Sequence, residues 1–96
     1  MRFGQIKLAQ FAGAANIPQK PQSAWTGAGL DDPEMTGAKF KPLLFAAEQD
    51  VHGTNYFYIA ERTIIYKYEI RNLVLLVITE RDGEYEFDDS KVEVIL

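Results

Sequence analysis

The pattern of apolar and polar positions is clearest in the second part of the chain. Phe40-Lys41-Pro42-Leu43-Leu44-Phe45-Ala46-Ala47 reads as an apolar strand. Proline cannot donate to a ladder, so Pro42 is expected at a sheet edge or a bulge. The stretch from Gly53 to Glu61 is rich in Tyr and Phe, and Ile64, Tyr66, Tyr68 and Ile70 then alternate with Thr63, Lys67, Glu69 and Arg71. That is a period of two, interrupted by Ile65, and the two stretches together predict one long, bent strand. Leu73–Ile78 is continuously apolar, which predicts a strand buried on both faces or near the centre of a sheet. Arg81-Asp82-Gly83 carries an Asp-Gly turn signal, so Tyr85–Phe87 and Val92–Leu96 are expected to return as further strands. The sum is an antiparallel meander.

The first part of the chain is less regular. Gly4, Gly13, Gly27, Gly29 and Gly37 fall there, with Pro18, Pro21 and Pro33. One helix is expected from Ser23 to Leu30, with Ser23 as N-cap and Trp25 facing the sheet, although Gly27 and Gly29 each cost about 1 kcal/mol relative to Ala. Asp31-Asp32-Pro33 would end it, because a proline disfavours helix in the residue before it. The predicted fold class is therefore α+β, an antiparallel four-stranded sheet curled around one N-terminal helix. Residues 1–96 read as a single domain, with a weakly specified N-terminal segment and helix over 1–35 and the sheet over 36–96.

Composition narrows the function classes. The chain has 96 residues, no cysteine and a formal charge of −4. The missing thiols exclude a disulfide framework, a cysteine nucleophile and thiolate metal sites. Six Phe, five Tyr and one Trp can supply the core instead. Residues 1–47 hold five basic and three acidic side chains, whereas 48–96 hold five basic and eleven acidic ones. Lys and Arg are scattered singly, so no nucleic acid partner is expected. The longest apolar run, Leu73–Ile78, is far short of the roughly 20 residues needed to span a bilayer, so no membrane association is expected. Gln5 and Lys7 interrupt the apolar residues of the N-terminus, so the chain reads as cytoplasmic, with a processed secreted form as the alternative.

Enzyme signatures are missing. His52 is the single histidine, so neither a histidine metal pair nor an HExxH spacing can be written. Ser23 and Ser90 lie outside any GxSxG context, and Gly27-Ala28-Gly29 lacks the rest of a phosphate loop. The acidic series Glu80, Asp82, Glu84, Glu86, Asp88 and Asp89 departs from the EF-hand spacing and alternates as a solvated strand face would. No cofactor, no metal and no catalytic residue are predicted. His52 has two readings, an exposed loop residue or a contact residue in a binding loop. Val51 and Gly53 likewise form either a plain tight hairpin or a contact. Trp25 is read as a core anchor facing the sheet.

Gln49-Asp50-Val51-His52-Gly53-Thr54-Asn55-Tyr56-Phe57 fits Gln-X-Val-X-Gly followed by a tyrosine-rich strand, and in this it resembles the first hairpin loop of the cystatins, more closely the stefins. The likeness covers about 36–96. It extends to a bacterial branch of cystatin-like single domains in which Thr36-Gly37-Ala38-Lys39-Phe40-Lys41-Pro42-Leu43 precedes the loop. The resemblance implies a non-enzymatic wedge that enters the cleft of a papain-like cysteine protease. Gln49, Asp50, Val51, His52 and Gly53 would form the first contact loop, and Arg81, Asp82 and Gly83 the second. Gly4 and Gly13 are both candidates for the N-terminal contact glycine of the family. This chain departs from the family at Asp50 and His52, where apolar or small residues are usual, and at Glu80-Arg81-Asp82, where many members carry Pro-Trp. The resemblance also implies a domain-swapped homodimer, formed when the first hairpin opens. The alternative function is a non-inhibitory protein-interaction or self-association module of the same fold.

Overall fold

The computed structural model describes residues 6–13, 17–32, 37–65 and 67–96, the first of these segments by its backbone alone. In chain order the elements are β1 (Ile6–Gly13), α1 (Gln19–Gly27), β2 (Ala38–Asp50), β3 (Thr54–Ile65), β4 (Glu69–Arg81), β5 (Glu84–Phe87), a 3₁₀ turn at Asp89–Lys91, and β6 (Glu93–Val94). The strands form one sheet in the order β1-β2-β3-β4-β5, and β6 also pairs with β4. All pairings are antiparallel. The α+β class, with one α-helix among the described residues and an antiparallel sheet, is thus as expected, but the sheet has six strands rather than four.

Of the six strands, β1 is one that the sequence reading did not anticipate. Its pairing with β2 shifts between Leu8 and Ala12, whose partners are Ala47 and Phe45. Four steps on β1 therefore match two on β2. Ile6 pairs with Gln49, which brings the start of β1 to the end of the sheet where β2 turns into β3.

The helix runs over Gln19–Gly27, not Ser23–Leu30, and Ser23 is not its N-cap. Pro18 occupies that position without a side-chain cap, and Ser23 Oγ accepts from Gln19 Nε2 at 3.2 Å. Pro21 is tolerated because a first-turn residue has no intrahelical partner for its N–H. At the other end Gly29, at φ 83°, makes the left-handed stop. Its N–H donates to the Thr26 carbonyl, and that of Leu30 donates to the Trp25 carbonyl. These are the two bonds of a Schellman motif, closed by burial of both Leu30 and Trp25.

The core lies between α1 and one face of the sheet. Tyr56, Tyr58 and Ala60 on β3 and Val74, Leu76 and Ile78 on β4 recur at every second position and are buried. On β2 the buried residues Phe40 and Phe45 differ in parity, and a bulge reconciles them: Pro42 pairs with Ala60 but Leu44 with Ile59, leaving Leu43 as the extra residue. Pro42 thus sits at a bulge in an interior strand. Trp25 meets Tyr58 edge-on at 5.1 Å, as expected of a sheet-facing anchor. The Tyr58 hydroxyl donates to the Pro21 carbonyl, pinning the first helical turn to β3.

Three further expectations are corrected. Residues 54–70 are not one bent strand, because Ile65 pairs with Glu69 and the chain reverses between them. Ile64 faces Ile70 across this hairpin, so the alternation continued through a turn that carries no Gly, Pro or Asn to mark it. Tyr66 lies outside the described residues. Leu73–Ile78 is central, with β3 on one side and β5 and β6 on the other. It is fully buried on one face only, since Leu73, Leu75 and Val77 stay partly accessible. Val92–Leu96 shortens to Glu93–Val94, and Val94, Ile95 and Leu96 are exposed.

Candidate functional site

Antiparallel succession sends the β2–β3 and β4–β5 connections to the same end of the sheet. Gln49 and Asp50 close β2, Val51, His52 and Gly53 form the first loop, and Thr54 opens β3. Arg81 closes β4, and Asp82-Gly83 is the whole of the second loop, because Arg81 pairs directly with Glu84. Every residue expected at the two contact loops therefore lies at one end, joined there by the backbone at Ile6. Of the two glycines considered for an N-terminal contact, Gly13 ends β1 at the opposite extremity and Gly4 lies outside the described residues.

The second loop follows from its sequence. Asp82 and Gly83 have φ of 54° and 81°, the pair of left-handed residues that a type I′ hairpin turn requires and that Asp-Gly favours. Glu80 Oε1 accepts from the Gly83 N–H at 3.1 Å and holds the turn from beneath.

The first loop is tighter than its sequence suggests. The Val51 N–H donates to the Gly53 carbonyl at 3.0 Å, which folds the chain back on itself. His52 takes φ 48°, a region costly to a residue with a Cβ, and is the exposed apex. Val51 is half-buried. Gly53, at φ 135°, packs against the Glu80 carbonyl oxygen so closely that a Cβ would collide with it. The Gln-X-Val-X-Gly pattern thus demands glycine on two counts, backbone conformation and contact with β4.

The loops are also joined through a side chain. Arg81 Nε donates to the His52 carbonyl at 2.9 Å. Just inside the loop end, Thr79 Oγ1 donates to Asn55 Oδ1 at 2.8 Å, and Asn55 Nδ2 reaches Gln49 Oε1 at 3.5 Å. This polar row crosses β4, β3 and β2. Asp50 Oδ1 accepts from Thr54 Oγ1 at 3.4 Å. The sequence showed the glycine and the acidic residues, but not that Arg81, Asn55 and Thr79 tie the two loops into one surface; those contacts require the strand register.

The end is acidic. Asp50, Glu80, Asp82 and Glu84 surround it, and Arg81 is the basic residue of the two loops. Burial and the carboxylates of Glu48 and Glu80 hold the Tyr56 phenol above its usual range, desolvation being the larger cause. Among the described residues no group of three His, Asp or Glu side chains could hold a metal ion. No described helix is long and apolar enough to cross a membrane. Compared with protein-family models, curated proteins and solved structures, the chain matches none.

Proposed function

We propose that the end formed by Asp50–Gly53 and Arg81–Gly83 is a rigid protein-binding edge, and that its partner is a papain-like cysteine protease, bound without being cleaved. The observation that carries this reading is the Arg81–His52 bond, which makes two loops distant in sequence into one projecting rim. A preorganised rim loses little conformational freedom on binding. The Gln-X-Val-X-Gly resemblance to the cystatins supplies the partner class, and Gln49, Val51 and Gly53 are the residues that carry it. The acidic groups Asp50, Glu80 and Asp82 oppose it, since each loses solvation when it enters a cleft. Inhibition is accordingly weak. The test is the turnover of a small peptide substrate by papain: inhibition should disappear with Val51→Asp and persist or improve with Asp82→Asn. Loss with the second and not the first would contradict the wedge.

The strain at His52 favours a second reading, self-association by exchange. With φ at 48° in the closed loop, His52 would relax if Asp50–Thr54 straightened into a continuous strand joining β2 to β3. β1, α1 and β2 would then pack on a second copy. Light scattering after refolding at high concentration should show dimers, and a glycine inserted between Val51 and His52 should suppress them.

A further inference from the structure

Among the described residues, α1 covers only part of one face of the sheet. At 1.5 Å per residue, nine residues span about 13 Å, whereas the twelve residues of β3 extend roughly 40 Å. α1 sits over Tyr58, and beyond Ala60 the same face of β3 continues with Arg62 and Ile64. There the structure has a cleft of about 510 Å³. Its apolar lining comes from Ala38 and Phe40 of β2, Ile64 of β3 and Phe87 of β5. Phe40 and Phe87 meet edge-on at 5.4 Å, which makes that wall firm.

Two charged residues line the cleft, Arg62 and Asp89. Arg62 Nη2 donates to Asn72 Oδ1 at 3.3 Å, but its Nε–H is buried and has no partner. No described carboxylate forms an ion pair with Arg62. Arg62 is half-buried beside the apolar walls, with Asn72 as the hydrogen-bond partner of its guanidinium, and a guanidinium is the side chain best suited to carboxylate oxygens. Asp89 is exposed, so water screens its charge. A pocket with apolar walls and few polar groups is the usual form of a small-molecule site.

We propose that this cleft binds a small amphiphilic carboxylate, with its apolar body against Phe40, Ile64 and Phe87 and its oxygens accepting from the N–H groups that the Arg62 guanidinium presents to the cleft. The proposal is independent of the loop end and survives if no protease is bound. Octanoate and its neutral counterpart 1-octanol, titrated separately while backbone amide shifts are followed, form the test. Octanoate should saturate, move the amides of Ala38, Phe40, Arg62, Ile64 and Phe87, and bind about tenfold more tightly than octanol, the preference expected of a charge-assisted hydrogen bond. Arg62→Met should bring octanoate down to the octanol level, and Asp89→Asn should strengthen octanoate alone. Equal affinity of the two probes for the wild-type protein, shifts confined to other residues, or no binding at millimolar octanoate would overturn it. The wild-type ratio decides the matter even if Arg62→Met does not fold.

Discussion

Arg81 Nε and the main-chain carbonyl of His52 are 2.9 Å apart, a hydrogen bond between residues 29 positions apart in sequence that joins the two hairpin loops. An Arg81→Met substitution keeps much of the stem and removes the donor. The global loss should be small, about 1 kcal/mol, because the bond is exposed. Amide hydrogen exchange of Val51 and Gly53 should nevertheless accelerate. Unchanged protection there would show that the first loop is held without Arg81.

Gly53 and Gly83 separate two reasons for needing glycine. Both have positive φ, but a Cβ on Gly83 meets nothing within 4 Å, whereas one on Gly53 strikes the Glu80 carbonyl. Gly83→Ala should cost roughly 1–2 kcal/mol for the left-handed backbone. Gly53→Ala should cost clearly more, as the loop must also move away from β4. Equal midpoints in urea denaturation would mean that the loop does not press on Glu80.

Helix and sheet meet at another glycine. A Cβ on Gly27 would enter the Tyr85 ring, so the usual gain of about 0.5–1 kcal/mol for Gly→Ala in a helix should reverse sign here. The same substitution in a Tyr85→Ser background should be neutral or stabilising. A double-mutant cycle reads the difference.

Tyr58 predicts an alkaline limit. Burial, with smaller contributions from Tyr56 and Tyr85, raises its phenol far above the ordinary value of 10.0. A group whose folded pKa is raised contributes fully below its unfolded pKa, and that contribution is lost as pH climbs. Stability should therefore be insensitive to Tyr58 below about pH 10 and fall by up to about 1.4 kcal/mol per pH unit above it. Tyr58→Phe removes this slope and the extra hydrogen bond that the hydroxyl gives the helical Pro21 carbonyl, at a cost of about 0.5–1.5 kcal/mol near neutral pH. Denaturation midpoints across pH 8 to 11 would check both.

The sequence was most legible where one residue dictated one local geometry. Asp82-Gly83 specified its turn, Pro42 its bulge, and Val74, Leu76 and Ile78 a buried strand. It was least legible where geometry depended on a partner strand. β1 is defined by its pairing with β2, and the matched parity of Ile64 and Ile70 hid the reversal between them. The helix was displaced because Ser23 resembled a cap, while the true stop, Gly29, lay inside the expected span. At the loop end, both sets of candidate residues were found from the motif and the turn signal. Their union through Arg81, Asn55 and Thr79 depends on register and could not be read in advance.

The central claim is that the two loops act as one protein-binding edge, and amide shift mapping of the intact protein against papain tests it most directly. Binding at this edge should perturb residues 49–54 and 80–84 together, with Val51→Asp abolishing both sets of changes. Perturbation of one loop without the other, changes centred on α1, or no change at a saturating excess of papain would contradict it.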